Sequence, residues 1–278
     1  MKTLFIILLC QIAVVTSFCN GGTTSQIKEL VKGKCLLYQT IIQPDVFCNS
    51  RRNCDEVADK FVEAFLYQPT CNVSVSRFND YLNLTRHPVQ TNKSIFWEDV
   101  YQAVALYANQ GKRLVSIADT LYGYIADGLH FCAKLEDPGM IINETCAGFD
   151  ATGDCEKNAE YSFWVGASEQ FSSDVNGKVY IMLNASIENT FKEKSYFANN
   201  ELPNLNGDRV SKAEIFLVKY AGHETRSTCN DDSIKLLKST LKKNGIEASC
   251  IDNPRDVQIV LCSMYPEHPD CSLLSDAS

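Results

Sequence analysis

A chain of 278 residues with 45% hydrophobic and 22% charged residues and a formal net charge of −8 has the make-up of an ordinary globular protein, which excludes disordered, collagen-like and coiled-coil classes. Its 34 acidic residues outnumber 26 Lys and Arg with no basic block, so it carries no electrostatic footprint for nucleic acid. The 13 cysteines stand out, because a chain this long can bury a core without staples; they point to an oxidising compartment or to a metal.

At the N-terminus, Lys2, an apolar run over residues 4–15 and the small residues Thr16 and Ser17 read as a secretory signal peptide spanning 1–17. The run is short of the roughly 20 apolar residues that a bilayer-spanning helix needs, so an N-terminal anchor is the weaker reading. Cys10 leaves with the signal, and the 12 cysteines left can close as six disulfides. Zinc is the competing use, but no C-x2-C pair occurs among them. Sequons at Asn72, Asn83, Asn92, Asn143 and Asn184 fit passage through the secretory pathway. Residues 271–278 carry no hydrophobic tail. The expectation is a secreted, extracellular or lumenal protein with no membrane span, the alternative being attachment through a segment absent from this chain.

From residue 23 to 163 apolar residues recur at helical spacing. Val57, Phe61, Ala64 and Phe65 line one face after Asp55, and Trp97, Val100, Tyr101, Val104 and Leu106 follow the same pattern. A third helix is expected over 114–129, opened by Ser116-x-x-Asp119, with Leu121, Tyr124, Ile125 and Leu129 on one stripe. Gly123 within it costs about 1 kcal/mol relative to Ala, which asks for a packing or ligand reason. After Val175 the pattern changes to strands over 179–183, preceded by the turn pair Asn176-Gly177, and over 213–220. A helix over 231–243 follows, with Ile234, Leu237 and Leu241 inward and Asp231 and Asp232 in its first turn, then strands over 246–250 and 257–262. Strand, helix and strand at this spacing imply a parallel sheet. The fold class is therefore a disulfide-rich α+β or α/β protein: one unit over 18–278 of two closely packed lobes, about 18–170 mainly helical and about 171–278 α/β.

No P-loop, G-x-G-x-x-G, H-E-x-x-H or G-x-S-x-G occurs, and His87, His130, His223 and His268 have no ligand spacing. Trp97 and Trp164, taken alone, read as core residues. Thr120-Leu-Tyr-Gly-Tyr-Ile-Ala-Asp127, Phe131-Cys132, Phe163-Trp164 and Tyr196-Phe-Ala-Asn-Asn-Glu201 together give another reading. In these motifs and in its cysteine ladder, the chain from about Cys35 to Cys271 resembles the ADP-ribosyl cyclase / NAD glycohydrolase family.

That resemblance implies a helical N-terminal lobe, a smaller parallel α/β lobe and an active site in the cleft between them. It implies Glu201 as the catalytic carboxylate, in the loop after the strand at 179–183. Trp97, Trp164, Asp119, Asp127, Ser168, Tyr196 and Phe197 become the substrate-binding positions. It also implies the disulfides Cys35–Cys54, Cys71–Cys155, Cys132–Cys146, Cys229–Cys250 and Cys262–Cys271, leaving Cys19 and Cys48 as a sixth pair. No cofactor or metal is required, since NAD or NADP is the small-molecule substrate; the oligomeric state is not legible. Expelling neutral nicotinamide from a cationic pyridinium needs no general acid, so one anion suffices, unlike the two carboxylates of ordinary glycoside hydrolysis.

Three positions depart from the family pattern. Ala118 replaces an acidic residue beside Asp119, Tyr196 stands where Thr or Phe is usual, and Asp99 replaces an Arg two residues after the first tryptophan. The expected activity is NAD(P) glycohydrolysis to ADP-ribose and nicotinamide with minor cyclic ADP-ribose. The alternatives are an inactive relative serving as a nucleotide-binding or receptor module, and a disulfide-stabilised interaction protein.

Overall fold

The computed structural model describes residues 22–109, 111–132 and 146–271. The signal-peptide assignment, Cys19, the Asn143 sequon and the tail beyond Cys271 lie outside the described residues.

The N-terminal half is built on α1 (Ile27–Leu37), α2 (Cys54–Phe65) and α3 (Asn79–Thr85). Asn53 caps α2, its side-chain oxygen accepting from the Asp55 amide at 3.0 Å, and Asp55 and Glu56 complement the helix dipole. Cys35–Cys54 ties α1 to α2. Between the helices lies an aromatic core in which Phe61 meets Phe131 at 4.9 Å and Tyr81 at 5.1 Å, both edge-on.

A parallel four-stranded sheet in the order β1-β2-β3-β4 joins the two halves. Its strands are β1 (Ser94–Glu98), β2 (Gly177–Asn184), β3 (Val210–Val218) and β4 (Glu247–Asp252). Trp97 pairs with Met182 and Glu98 with Leu183. Strand alternation sorts the side chains onto two faces. Ile95, Met182, Phe216 and Val218 pack under α4 (Tyr101–Ala108) and α8 (Arg255–Cys262). Phe96, Ile181, Leu183, Ile215 and Leu217 face the main core with Phe171 of α6 (Ala159–Asp174) and Leu237 of α7 (Asp232–Lys243). The expected crossover is present: β3, α7 and β4 form a parallel unit. Gly177 opens β2 at φ 74°, where a Cβ would lie 2.2 Å from Asn92 Oδ1, so the expected turn glycine is sterically required.

Three expectations are corrected. Trp97 lies on β1, not on a helix; Ser94-Ile-Phe-Trp-Glu98 is β-branched and aromatic, and Asp99 at φ 57° breaks the chain before α4 begins at Tyr101. A strand abutting a helix mimics one continuous helical stripe. Residues 257–262 belong to α8 rather than a strand, because Val257 and Leu261, four residues apart, are the buried positions while Ile259 is 50% exposed. The expected helix over 114–129 is two pieces: a 3-10 turn (Ile117–Asp119) and α5 (Leu121–Ala126), divided by extended Thr120, whose hydroxyl caps α5 by accepting from the Gly123 amide at 3.1 Å. Gly123 has its packing reason, since a Cβ there would sit 2.0 Å from the Ile117 carbonyl oxygen. β1, from the mainly helical half, is a strand of the same sheet as β2.

The five bridges that the resemblance implied are present, joining Cys71 to Cys155, Cys132 to Cys146, Cys229 to Cys250 and Cys262 to Cys271 as well as α1 to α2. Cys48 is exposed and bonded to none of the described cysteines. Asn72, Asn83 and Asn92 are exposed, whereas Asn184 is half-buried and uses its amide on Asp99 and Ser186. Among the described residues no helix is long and apolar enough to cross a membrane.

Candidate active site

A cavity of about 590 Å³ opens where β1 and β2 end. Parallel strands direct their carboxyl ends to one side of the sheet, where the following loops gather side chains from separate parts of the chain. β1 delivers Trp97, Glu98 and Asp99, the 3-10 turn delivers Ile117 and Ala118, and Asp127 follows α5. Trp164 and Ser168, one helical turn apart on α6, face the cavity together. Tyr196, Phe197 and Glu201 come from the segment after β2.

Glu201 closes a π-helical turn (Phe197–Glu201) rather than lying in open loop. It is 5% exposed, and its Oε1 accepts a hydrogen bond from Ser168 Oγ at 3.1 Å. Burial drives its pKa up to about 8, the Ser168 hydroxyl pulls it down, and the Glu98 charge adds to the rise. Phe197 anchors the turn in the core, its ring 6.0 Å from Phe96.

Both tryptophans are half-buried, so each keeps part of its ring open to the cavity. Trp97 is braced by Tyr101 at 6.0 Å and Trp164 by Phe163 at 5.0 Å. Tyr196 is packed edge-on against Phe149 at 5.1 Å and Tyr161 at 6.1 Å, so its bulk is held within an aromatic cluster. Asp127 is exposed at the rim and accepts from the Tyr101 hydroxyl at 3.2 Å.

Asp119 is placed differently from the other expected substrate-binding residues. Its Oδ2 accepts from the Ser116 amide at 2.8 Å and the Ser116 hydroxyl at 2.7 Å, a capping box that fixes the turn carrying Ala118. It supports the wall and is not part of the cavity lining. Asp99 forms an ion pair with Lys192 at 3.4 Å.

Sequence reasoning did not single out Glu98, Tyr101, Phe149 or Asp150 as lining residues. Adjacency to Trp97 was the available signal for Glu98, but a helical reading of that segment misdirects its side chain. The lining holds the acids Glu98, Asp99, Asp127, Asp150 and Glu201 and, among the described residues, no Lys, Arg or His. Acids interleaved with aromatic faces suit a flat cation. Among the described residues no group of three or more His, Cys, Asp or Glu is placed to hold a metal ion.

Comparison with known proteins bears on the same site. A family model described as ADP-ribosyl cyclase matches residues 24–271. The human protein ADP-ribosyl cyclase/cyclic ADP-ribose hydrolase 2 is 33% identical over 258 residues, covering 92% of this chain and 79% of its own. The crystal structure of Aplysia cyclase complexed with substrate NGD and product cGDPR is similar at a TM-score of 0.82 and 26% identity, covering 90% of this chain and 98% of that one. A structure of CD38, described with a covalent enzyme–substrate complex, matches at a TM-score of 0.76 and 30% identity over 86% of this chain and 97% of its own.

Proposed function

The chain belongs to the ADP-ribosyl cyclase family of enzymes, and on that premise we propose that it cleaves the nicotinamide–ribose bond of NAD or NADP in this cavity and releases mainly ADP-ribose. The observation that carries the reading is Glu201, buried and held by Ser168 in a cavity with two half-open tryptophans and no lining cation. The pyridinium ring enters between aromatic faces, each cation–π contact contributing roughly 0.5 to 2 kcal/mol. As the C–N bond breaks, its electron pair leaves with neutral nicotinamide and positive charge develops on the ribose. The ionised Glu201 stabilises that charge or bonds to it. Water then attacks the anomeric carbon to give ADP-ribose.

Hydrolysis is favoured over cyclisation because folding the dinucleotide back costs conformational freedom, and the small side chain of Ala118 on the wall leaves room for water. Lys192, which bridges to Asp99 at the rim, offers the diphosphate a cation in place of the missing Arg. Five disulfides and exposed sequons at Asn72, Asn83 and Asn92 support a secretory, extracellular setting. Incubation of the purified protein with NAD tests the reading by nicotinamide release and chromatography of products. Nicotinamide with ADP-ribose in excess of cyclic ADP-ribose is expected; no release refutes the activity, and a majority of cyclic product refutes the partition.

A further inference from the structure

Glu98 ends β1 one residue beyond Trp97, and it lines the same cavity as Glu201. It is not an ordinary surface acid, because its Oε2 is shielded from solvent and receives no hydrogen bond. A buried carboxylate oxygen without a donor is costly unless a partner arrives with a ligand. The methyl side chain of Ala118, also in the lining, offers no acceptor.

We propose that Glu98 is a second carboxylate of the active site, one that sets the protonation of Glu201 before substrate binds and offers negative charge and an acceptor to the cationic nicotinamide–ribose end of the substrate. The proposal rests on the reading of the cavity as the site of NAD cleavage. Glu201 is buried and Glu98 half-buried with one shielded oxygen, and two such carboxyls in one cavity do not both ionise easily. Burial raises Glu98, with Asp99 adding to the rise, while the Ser195 hydroxyl and Lys192 pull it down. Glu98 therefore carries the charge first, and its charge helps keep Glu201 an acid. The other ionisable groups around the pair are Asp127 with Tyr101 at the rim, Asp150, and Tyr196 beside Ser168, so the lining supplies no competing cation. When the pyridinium enters, Glu201 gives up its proton to solvent and the site holds two carboxylates against one cation. Positive charge then passes from ring to ribose as nicotinamide leaves, with Glu98 and Glu201 both anionic.

The test is a carbon-13 NMR titration of side-chain-labelled glutamates in the wild type, Glu98→Gln and Glu201→Gln, alongside the pH dependence of nicotinamide release. The wild type is expected to show a carboxyl titrating near 8 that is absent from Glu201→Gln. In Glu98→Gln that midpoint should fall by about one pH unit, as expected for removing a nearby like charge. The acid limb of kcat/KM should move down with it, while KM for NAD rises about fivefold or more. A Glu201 midpoint unchanged in Glu98→Gln, or an unchanged KM with an unmoved acid limb, would overturn the proposal. Should Glu98→Gln fail to fold, the Glu98 signal in the wild type still decides: a second inflection near 8 that Glu201→Gln abolishes supports the pair, and a single inflection overturns it. The titration needs no turnover, so an inactive wild type with coupled carboxyls refutes the proposed activity alone.

Discussion

Replacing Glu201 by Gln keeps the size of the side chain and its contact with Ser168 while removing the charge, and its consequences for turnover and for stability should run in opposite directions. With a pKa of about 8 against an ordinary 4.5, ionising Glu201 in the free protein costs about 5 kcal/mol more than in water. The substrate cation must offset that cost, and the carboxylate does so where charge develops, so Glu201→Gln should lower turnover at least ~10²-fold, about 2.7 kcal/mol, while NAD still binds. Since Glu201 acts as an anion, wild-type kcat/KM should fall about tenfold per pH unit below about 8 and level off above it, a limb absent from the variant. For stability, a carboxyl raised in the folded state binds more protons folded than unfolded, so wild-type stability falls as pH rises from 4.5 to about 8. Glu201→Gln escapes this loss. Its advantage in melting temperature should be absent near pH 4.5, correspond to about 3 kcal/mol at pH 7 and stop growing above pH 8. Nicotinamide release, tryptophan fluorescence for binding and calorimetry across pH provide the three measurements. Unchanged turnover, or a melting-temperature gap that does not vary with pH, would refute the reasoning.

Trp164→Ala should raise KM and lower kcat, together costing tenfold or more in kcat/KM, with the circular dichroism spectrum unchanged because the ring is half-buried at the cavity; a loss confined to folding yield would make it a core residue. Gly123→Ala should cost about 3 kcal/mol or more in a urea titration, since the new Cβ would meet the Ile117 carbonyl at 2.0 Å, and activity should fall with it because Ile117 and Ala118 line the cavity. An unchanged urea midpoint would show that α5 shifts freely away from that turn.

Where one element buried one face, its period was legible. Ile234, Leu237 and Leu241 recur as a helical stripe, and all are buried on α7. The strand over 179–183 is a continuous apolar run because both faces of β2 are buried, Val179, Ile181 and Leu183 in the main core and Met182 in the core under α4 and α8. Legibility ended where short elements meet. Five residues of β1 followed at once by α4 present one apparent helical period, and the exposed Ile259 extends the apolar run of α8 into the likeness of a strand. The same limit applied to the site. Trp164 and Ser168 share a helix, so their common direction follows from spacing, and motif resemblance singled out Glu201. Glu98 depends on the direction in which β1 ends, and Phe149 on how a loop packs against Tyr196, which no local pattern carries.

The placement of β1 bears on how the molecule is made. Synthesis proceeds from the N-terminus, yet β1 finds its hydrogen-bonding partners on β2 more than eighty residues later. Trp97 cannot reach its place opposite Met182 before β2 has left the ribosome, and the carboxylate at Glu201 follows later still. The helices α2 and α3 can bring Phe61 against Tyr81 through local contacts long before, whereas the β1 edge waits on a slow, long-range closure. The half-built chain therefore has no complete cavity to act with, and activity arises as a late event of folding.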